Sequence, residues 1–496
     1  MRTKRCWVGL AAAVLLVSAC GTTVKGVDGL SPRALEELTT QEGGPADDFA
    51  GSGPAGTGPT ATAGPGASAA ATEAAKKAAE AAAQRGRLAT GTGITPTTIT
   101  VGITWLDITA LFAAFAPTAR NEAKATSKEA AQAVVDWMNK NGGIAGRKIV
   151  PIYHEYPVHA AAQASTRSQA EQSTCDAFTQ DAKAFAALPL FSSEGIFNTC
   201  AAKRKMISTV IGNLDEIMDK KRTAELGAYW YRLDGMGGER REEVTVAQLQ
   251  RRGFFAPGSK VGLLITDTPT ARRLSEQVLE PALARIGANV VEKAYYFDDQ
   301  NLSTTVLRFQ TLGIDRIMWG NCFSCQVSVA NFMATAQNQD YDPVYGLTTQ
   351  NTIGALRTLG APKEQLVNAV AFGWKPGTDL ATNNVEPPRP GPQATCRQAI
   401  VEAGMGNDFP PGYEGVYEAI CEQLFFLKRG LEAAPSLTAE GLRQVVESQG
   451  PQPGVGTFRV HFTKDRHDGV VAVRDLYFGA QCDCWSYRGP EHAATG

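Results

Sequence analysis

The sequence predicts an α/β fold built as two lobes, each a parallel sheet with helices on both faces. Short apolar, β-branched runs alternate with longer helical patterns from about residue 95 onward. The alternation starts afresh near residue 259. A chain of 496 residues with 43% apolar content exceeds one compact domain and suits two.

"TITVGITWL" is short, apolar and β-branched, as a buried parallel strand should be. A helix follows in "NEAKATSKEAAQAVVDWMNKNGGIAG". Ala130, Ala131, Val134, Val135 and Met138 fall on one helical face, and Asn141-Gly142-Gly143 ends it. "RKIVPIYHEY" reads as a strand, "AQASTRSQAEQSTCDAFTQD" as a helix, and "AFAALPLFSS" as a strand. The second series opens with the strand "SKVGLLITD" and the helix "TARRLSEQVLEPALARIG". It continues with the strand "ANVVEKAYYF", the helix "NLSTTVLRFQTLG", the strand "DRIMWGN", the helix "SCQVSVANFMATAQNQ" and the strand "DPVYGLTT". These runs give two units, about 96–228 and 229–342, with a C-terminal part beyond. Neither first strand leads into Gly-x-Gly-x-x-Gly, so a dinucleotide site has no support.

The N-terminus reads differently. Arg2, Lys4 and Arg5 precede an apolar run of about eleven residues, Trp7 to Val17. A bilayer span needs roughly 20, so the run is read as an export signal. Val17-Ser18-Ala19-Cys20 resembles a bacterial lipobox, which implies acylation of Cys20 and removal of residues 1–19. A plain signal peptide with a chance cysteine is the alternative. Residues 20–94 are rich in Ala, Gly, Pro and Thr and lack the large apolar groups that offset ordering entropy. They are expected to form a disordered tether, spanning on the order of 45 Å as a coil. The expected location is the outer face of the cytoplasmic membrane.

The formal charge is −2, from 48 basic and 50 acidic residues. No strong field attracts nucleic acid. Of ten cysteines, eight remain after Cys6 and Cys20: Cys175, Cys200, Cys322, Cys325, Cys396, Cys421, Cys482 and Cys484. An even number in an exported chain points to disulfides. Proximity favours Cys175 with Cys200, Cys396 with Cys421 and Cys322 with Cys325, which leaves a tight Cys482–Cys484 ring. Cross-pairing of "CFSC" with "CDC", or a four-thiolate zinc site on the same residues, stays open.

"ITPTTITVGIT" followed by "AAQAVVDWMNKNGGIAGRKIVPIYHEY" resembles the opening of the type I periplasmic binding proteins, which include the Leu/Ile/Val-binding proteins of ABC importers. "NGGIAGRKI" is the most specific piece. "GSKVGLLITDTPTARRLSEQVLEPALARIGANVVEKAYY" is similar to the family's second-lobe opening. The resemblance runs from about 95 to 480. It implies two Rossmann-like lobes joined by three hinge crossings, near Ala228, Asp342 and Gly454. Lobe one would then hold 95–228 and 343–454, and lobe two 229–342 and 455–490. The alternating "FRVHFTKDRHDGVVAVRDLYF" would pack back on lobe two.

Ligands of such sheets sit at the carboxyl ends of the strands. That rule nominates Trp105 and Asp107 after the first strand, and Ser192, Ser193 and Glu194 where a helix should start. Serine hydroxyls and free N–H groups there suit a carboxylate; the resemblance implies that a serine on this loop binds one, while ordinary helix capping would use the same serines. Lobe two offers Asp267, Trp319, Asn321, Thr348 and Thr349. Tyr413 and Tyr417 are weaker, since core packing explains them as well. The family often follows the acid at position 267 with Tyr-Gly; "DTPTARR" stands here, which puts an ordinary branched-chain ligand in doubt.

The five histidines form no His-x-x-x-His or HExxH pattern, and "FSSEG" lacks the first glycine of a nucleophile elbow. No catalytic constellation, cofactor or metal is expected. The resemblance implies a lipid-anchored substrate-binding protein that hands an amino acid or similar small polar solute to ABC permease subunits. A sensory module for a membrane signalling partner, and a surface protein that has lost small-ligand binding, are the alternatives.

Overall fold

The computed structural model describes residues 90–107, 124–157, 164–189, 195–211, 220–296, 301–320, 325–380, 384, 386–409 and 414–495. The expected export signal, Cys20 and the expected tether up to residue 89 lie outside them. The described residues fall in one compact unit.

Two sheets organise that unit. The first contains β1 (Thr98–Trp105), β2 (Lys148–Glu155), β3 (Ala186–Pro189), β4 (Ile207–Val210) and β5 (Trp230–Arg232). All are parallel, in the order β2-β1-β3-β4-β5. The second contains β6 (Val261–Thr266), β7 (Val290–Tyr296), β8 (Arg316–Gly320), β9 (Val344–Thr348) and β10 (Val370–Gly373), parallel in the order β7-β6-β8-β9-β10. The two parallel arrays therefore repeat one doubly wound pattern. A short pair, β11 (Gln452–Pro453) with β12 (Arg459–Val460), precedes the C-terminal hairpin. The hairpin strands β13 (Ala472–Gly479) and β14 (Cys484–Ala493) then extend the second sheet antiparallel to β10.

Each sheet has its own core. Ile99, Val101, Ile103, Val134 and Leu188 pack with Ile420, Leu424 and Leu427 in lobe one. Leu263, Ile265, Ile317, Phe332, Leu347 and Trp485 share the core of lobe two. The chain passes between lobes three times: after β5, between β10 and the helix Pro392–Glu402, and between β12 and β13.

All three expected boundaries move; the third passage, expected near Gly454, comes after β12, because Val455, Val460 and Phe462 pack in the lobe-one core. Tyr229 was the expected start of lobe two, but β5 pairs with β4 in the first sheet, so the first passage follows Arg232. The return to lobe one, expected near Asp342, comes after β10, because β9 pairs with β8 and β10 with β9. The four-residue β10 is too short for periodicity to reveal, and without it "DPVYGLTT" looks like a terminal strand.

Local chemistry explains the leading helix, Ser127–Lys140. Thr126 Oγ1 accepts the Glu129 N–H at 3.1 Å, and the Glu129 carboxylate accepts the Thr126 N–H at 2.7 Å, a reciprocal cap. Its apolar face is the one expected, with Ala130, Val134, Val135 and Met138 buried. Gly143 closes the helix with φ of 66°, where a Cβ would stand 2.0 Å from the Arg147 carbonyl oxygen. The expected helix 270–287 is broken by a π-turn at Ser275–Leu279, just before Pro281, which has no N–H to give the preceding turn.

Three disulfides join described cysteines: Cys175–Cys200, Cys396–Cys421 and Cys482–Cys484. Cys325 is also disulfide-bonded; its expected partner Cys322 lies outside the described residues. The structure thus takes the tight Cys482–Cys484 ring over cross-pairing or a zinc knuckle.

Candidate functional site

In a doubly wound sheet the crevice opens where the strand order reverses. For lobe one that point lies between the carboxyl ends of β1 and β3, and for lobe two between those of β6 and β8. Trp105 and Asp107 stand at the end of β1, Asp267 follows β6, and Trp319 lies one residue before the end of β8. Ser192, Ser193 and Glu194 follow β3 and Asn321 follows β8, but all four lie outside the described residues, as does Tyr413.

Half-buried Trp105 is one wall of an aromatic corner. The Lys128 ammonium sits 5.2 Å from the Trp105 ring centroid and 5.6 Å from that of Tyr153, whose strand neighbours β1. The Tyr153 hydroxyl donates to Gln132 Oε1 at 3.0 Å. Burial, and then the nearby Asp136 charge, push that phenol above its ordinary value, so it stays a neutral donor. Lys128 belongs to the first turn of the capped helix, where the macrodipole is also positive. This corner favours an anionic group beside an apolar surface.

Asp267 is held rather than free. Arg272 Nε donates to its Oδ1 at 2.6 Å, and the same guanidinium lies 3.8 Å from the centroid of the Tyr295 ring. Thr268 caps the following helix by accepting the Ala271 N–H at 3.2 Å. The hydrogen bond that Arg272 donates to Asp267 raises the Arg272 pKa, so the cation is permanent. Lobe two therefore also carries a cation over an aromatic ring at its strand ends. Sequence reasoning missed Lys128, Tyr153, Arg272 and Tyr295, since partners so placed become visible only when strands and helix starts are set side by side.

The other candidates have structural work. Trp319 is 5% exposed; it stacks on Tyr345 with centroids 5.8 Å apart and meets Phe332 edge-on at 5.9 Å. Its ring belongs to the core. Thr348 caps a 3₁₀ turn by accepting the Gln350 N–H at 3.2 Å. Thr349 Oγ1 donates to Asp379 Oδ2 at 2.8 Å and accepts the Trp374 N–H at 2.8 Å. Tyr417 is buried against Phe409 in lobe one, as the core reading expected. At the start of the helix Gly195–Lys203, the buried Glu171 carboxylate accepts the Phe197 N–H at 3.1 Å. A carboxylate thus already satisfies one helix-start donor that a ligand carboxylate would have used.

Among the described residues, no group of three or more His, Cys, Asp or Glu is placed to hold a metal. A cavity of about 450 Å³ is lined by Phe425, Lys428, Arg429, Glu432, Ala433 and Gln449, none of them at a strand end.

The family model described as periplasmic binding protein matches residues 114–481, most of the chain. The chain belongs to the periplasmic binding protein family. Its two parallel-sheet lobes are those of the type I proteins, whose members bind small solutes and work with ABC transporter permeases. This periplasmic binding protein is similar in fold to an ABC transporter substrate-binding protein from Desulfitobacterium hafniense in complex with Leu. The TM-score is 0.53 at 15% identity, covering 79% of this chain and 100% of that one. It is likewise similar to a branched-chain amino acid ABC transporter protein from Thermus thermophilus with bound valine (0.53, 16% identity, 80% and 96% covered). A fatty acid ABC transporter substrate-binding protein from Thermomonospora curvata scores 0.52 at 16% identity, with 82% and 95% covered. No curated protein sequence matches significantly.

Proposed function

We propose that this periplasmic binding protein captures an amino acid or a similar small solute with a carboxylate, between two lobes that close by a hinge, and delivers it to an ABC importer. The match to the family across 114–481 carries the reading. The cation-on-aromatic pairs Lys128–Trp105 and Arg272–Tyr295 support it, one beside the carboxyl end of β1 on its β2 side and one beside that of β6 on its β7 side, because they suit a carboxylate with an apolar body. Ser192 or Ser193 supplies a hydroxyl to the same carboxylate in this reading. Cys20 carries the lipid that holds the protein at the outer face of the cytoplasmic membrane, and residues 20–94 serve as its tether. The importer delivers solute, so the protein itself performs no chemistry.

A longer apolar acid is the second reading. The Tyr-Gly expected after Asp267 is replaced by a stretch whose Arg272 pairs with that acid, and one structural neighbour is named for fatty acids.

Thermal unfolding of the full chain against amino acids, amides, short peptides, sugars and fatty acids tests both. A ligand at 100 times its Kd adds about 2.7 kcal/mol. A shift with one amino acid class supports the first reading, and a shift with fatty acids alone supports the second. Folded, ligand-free protein that responds to nothing in the panel sinks both and favours a protein partner.

A further inference from the structure

We propose that Cys482–Cys484 is a thiol–disulfide exchange site, open to a dithiol while the rest of the fold stays intact. The pair closes a ring around one residue, Asp483, at the tip of the β13–β14 hairpin. Exposure separates it from the other described pairs. Cys175, Cys396 and Cys421 are each 0% exposed and Cys200 is 9% exposed, whereas Cys482 is open to solvent. Cys484, its partner, is buried at 5%. An attacking thiolate therefore meets the sulfur of Cys482 first.

A structural role explains this pair poorly. Disulfides stabilise chiefly by restricting the unfolded chain, and the restriction grows with loop length. Cys175–Cys200 and Cys396–Cys421 each span 25 residues; Cys482–Cys484 spans two. The tip has other anchors. Arg357 Nε and Nη2 donate to the two Asp483 carboxylate oxygens at 2.6 and 2.9 Å, a paired contact independent of sulfur. The hairpin ladder pairs Gly479 with Cys484 and Phe478 with Trp485. Asp483 holds a φ of 52°, the left-handed region, which opening of the ring would allow it to leave.

The exchange balances as follows. One thiolate of the dithiol forms a bond to Cys482 Sγ; the Cys482–Cys484 bond breaks, and its electron pair leaves on Cys484 Sγ, which takes a proton from water. The dithiol's second thiolate attacks its own sulfur in the mixed disulfide, and Cys482 leaves as a thiolate and is protonated. The protein disulfide gains two electrons, and the dithiol becomes a disulfide.

The test titrates the folded full chain with dithiothreitol, quenches with iodoacetamide and maps the label by mass spectrometry, with far-ultraviolet circular dichroism in parallel. Cys482 and Cys484 are expected to label at about tenfold less reductant than Cys175, Cys200, Cys396 and Cys421, with the dichroism unchanged. Labelling of 482 and 484 only together with those four, or only as dichroism is lost, overturns the proposal. With glutathione, which lacks a second thiol, the mixed disulfide is expected on Cys482; its appearance on Cys484 overturns the order of attack.

Discussion

Lys375 forms an ion pair with Asp234, and this contact ties together the first two passages between the lobes. Asp234 follows β5, and Lys375 follows β10. The Asp234 side chain is 5% exposed and the Lys375 side chain 25%. Trp374 Nε1 adds a hydrogen bond to the Asp234 carbonyl oxygen at 3.3 Å. Removing the ammonium takes from a buried carboxylate the charge that Lys375 supplies to it. Lys375→Met is expected to destabilise by about 3 kcal/mol, and the double variant with Asp234→Asn by much less. Urea unfolding midpoints check this; equal losses in the two variants would show that the ion pair is not the cause.

Stability should fall as pH rises from about 4.5 to 7. Glu418 and Glu422 lie one turn apart on the helix Gly415–Ala433, and burial raises each carboxyl from 4.5 to about 7. Hydrogen bonds offset this only in part: Glu422 accepts the N–H groups of Val455 and Gly456 at 2.6 and 3.0 Å, and Glu418 accepts from Gln393 at 2.6 Å. Burial likewise raises Asp379 from 3.8 to about 6. In this window the folded chain keeps protons that the unfolded chain has released. The stabilisation is complete below the unfolded value and is lost as pH rises through the folded one, on the order of 3 kcal/mol for Glu422. The urea midpoint is expected to drop between pH 5 and 7.5, and Glu422→Gln to flatten the slope. A wild-type midpoint that rises over this range contradicts the assignment.

Much of the strand–helix order was legible because strands such as β1 and β6 are compact apolar runs and the helix Ser127–Lys140 that follows β1 has one clear apolar face. The short β5 and β10 were not legible, and their absence misplaced the first two passages; the two-residue strands β11 and β12 were equally hidden, and the third passage falls after them rather than near Gly454. For the candidate site, the strand-end rule nominated Trp105, Asp107 and Asp267, and the structure has all three at the ends of β1 and β6. It could not tell that Trp319 turns into the core, because a strand-end position fixes the depth of a residue but not the face its ring joins. Nor could it find Arg272 on Asp267, since an i to i+5 contact across a strand–helix turn has no sequence period.

Trp105 and Trp319 should respond in opposite ways to truncation. Trp319→Ala opens a hole among Phe332 and Tyr345 and is expected to cost about 4 kcal/mol of stability. Trp105→Ala, at a half-buried strand end, should cost about 1 kcal/mol or less while weakening any ligand found by the thermal screen at least tenfold, about 1.4 kcal/mol. Denaturant unfolding and titration calorimetry on both variants decide it. A ligand affinity untouched by Trp105→Ala would move the binding surface away from the β1 end.

The disulfides should divide by loop length. Replacing Cys175 and Cys200 together by Ser removes a 25-residue closure, and so does replacing Cys396 and Cys421. Each double variant is expected to lose about 3 kcal/mol. Both pairs are also buried beside aromatic or aliphatic core residues, Phe178 and Phe197 for the first and Ile420 and Leu424 for the second, so two added hydroxyls bring a further desolvation cost. Replacing Cys482 and Cys484 removes a closure of two residues and leaves the Arg357–Asp483 contact in place, so the loss should be about 1 kcal/mol. Urea midpoints for the three double variants give the comparison. A Cys482/Cys484 variant as unstable as the other two would make that disulfide a structural clamp, and the hairpin would then depend on sulfur rather than on its ladder and Arg357.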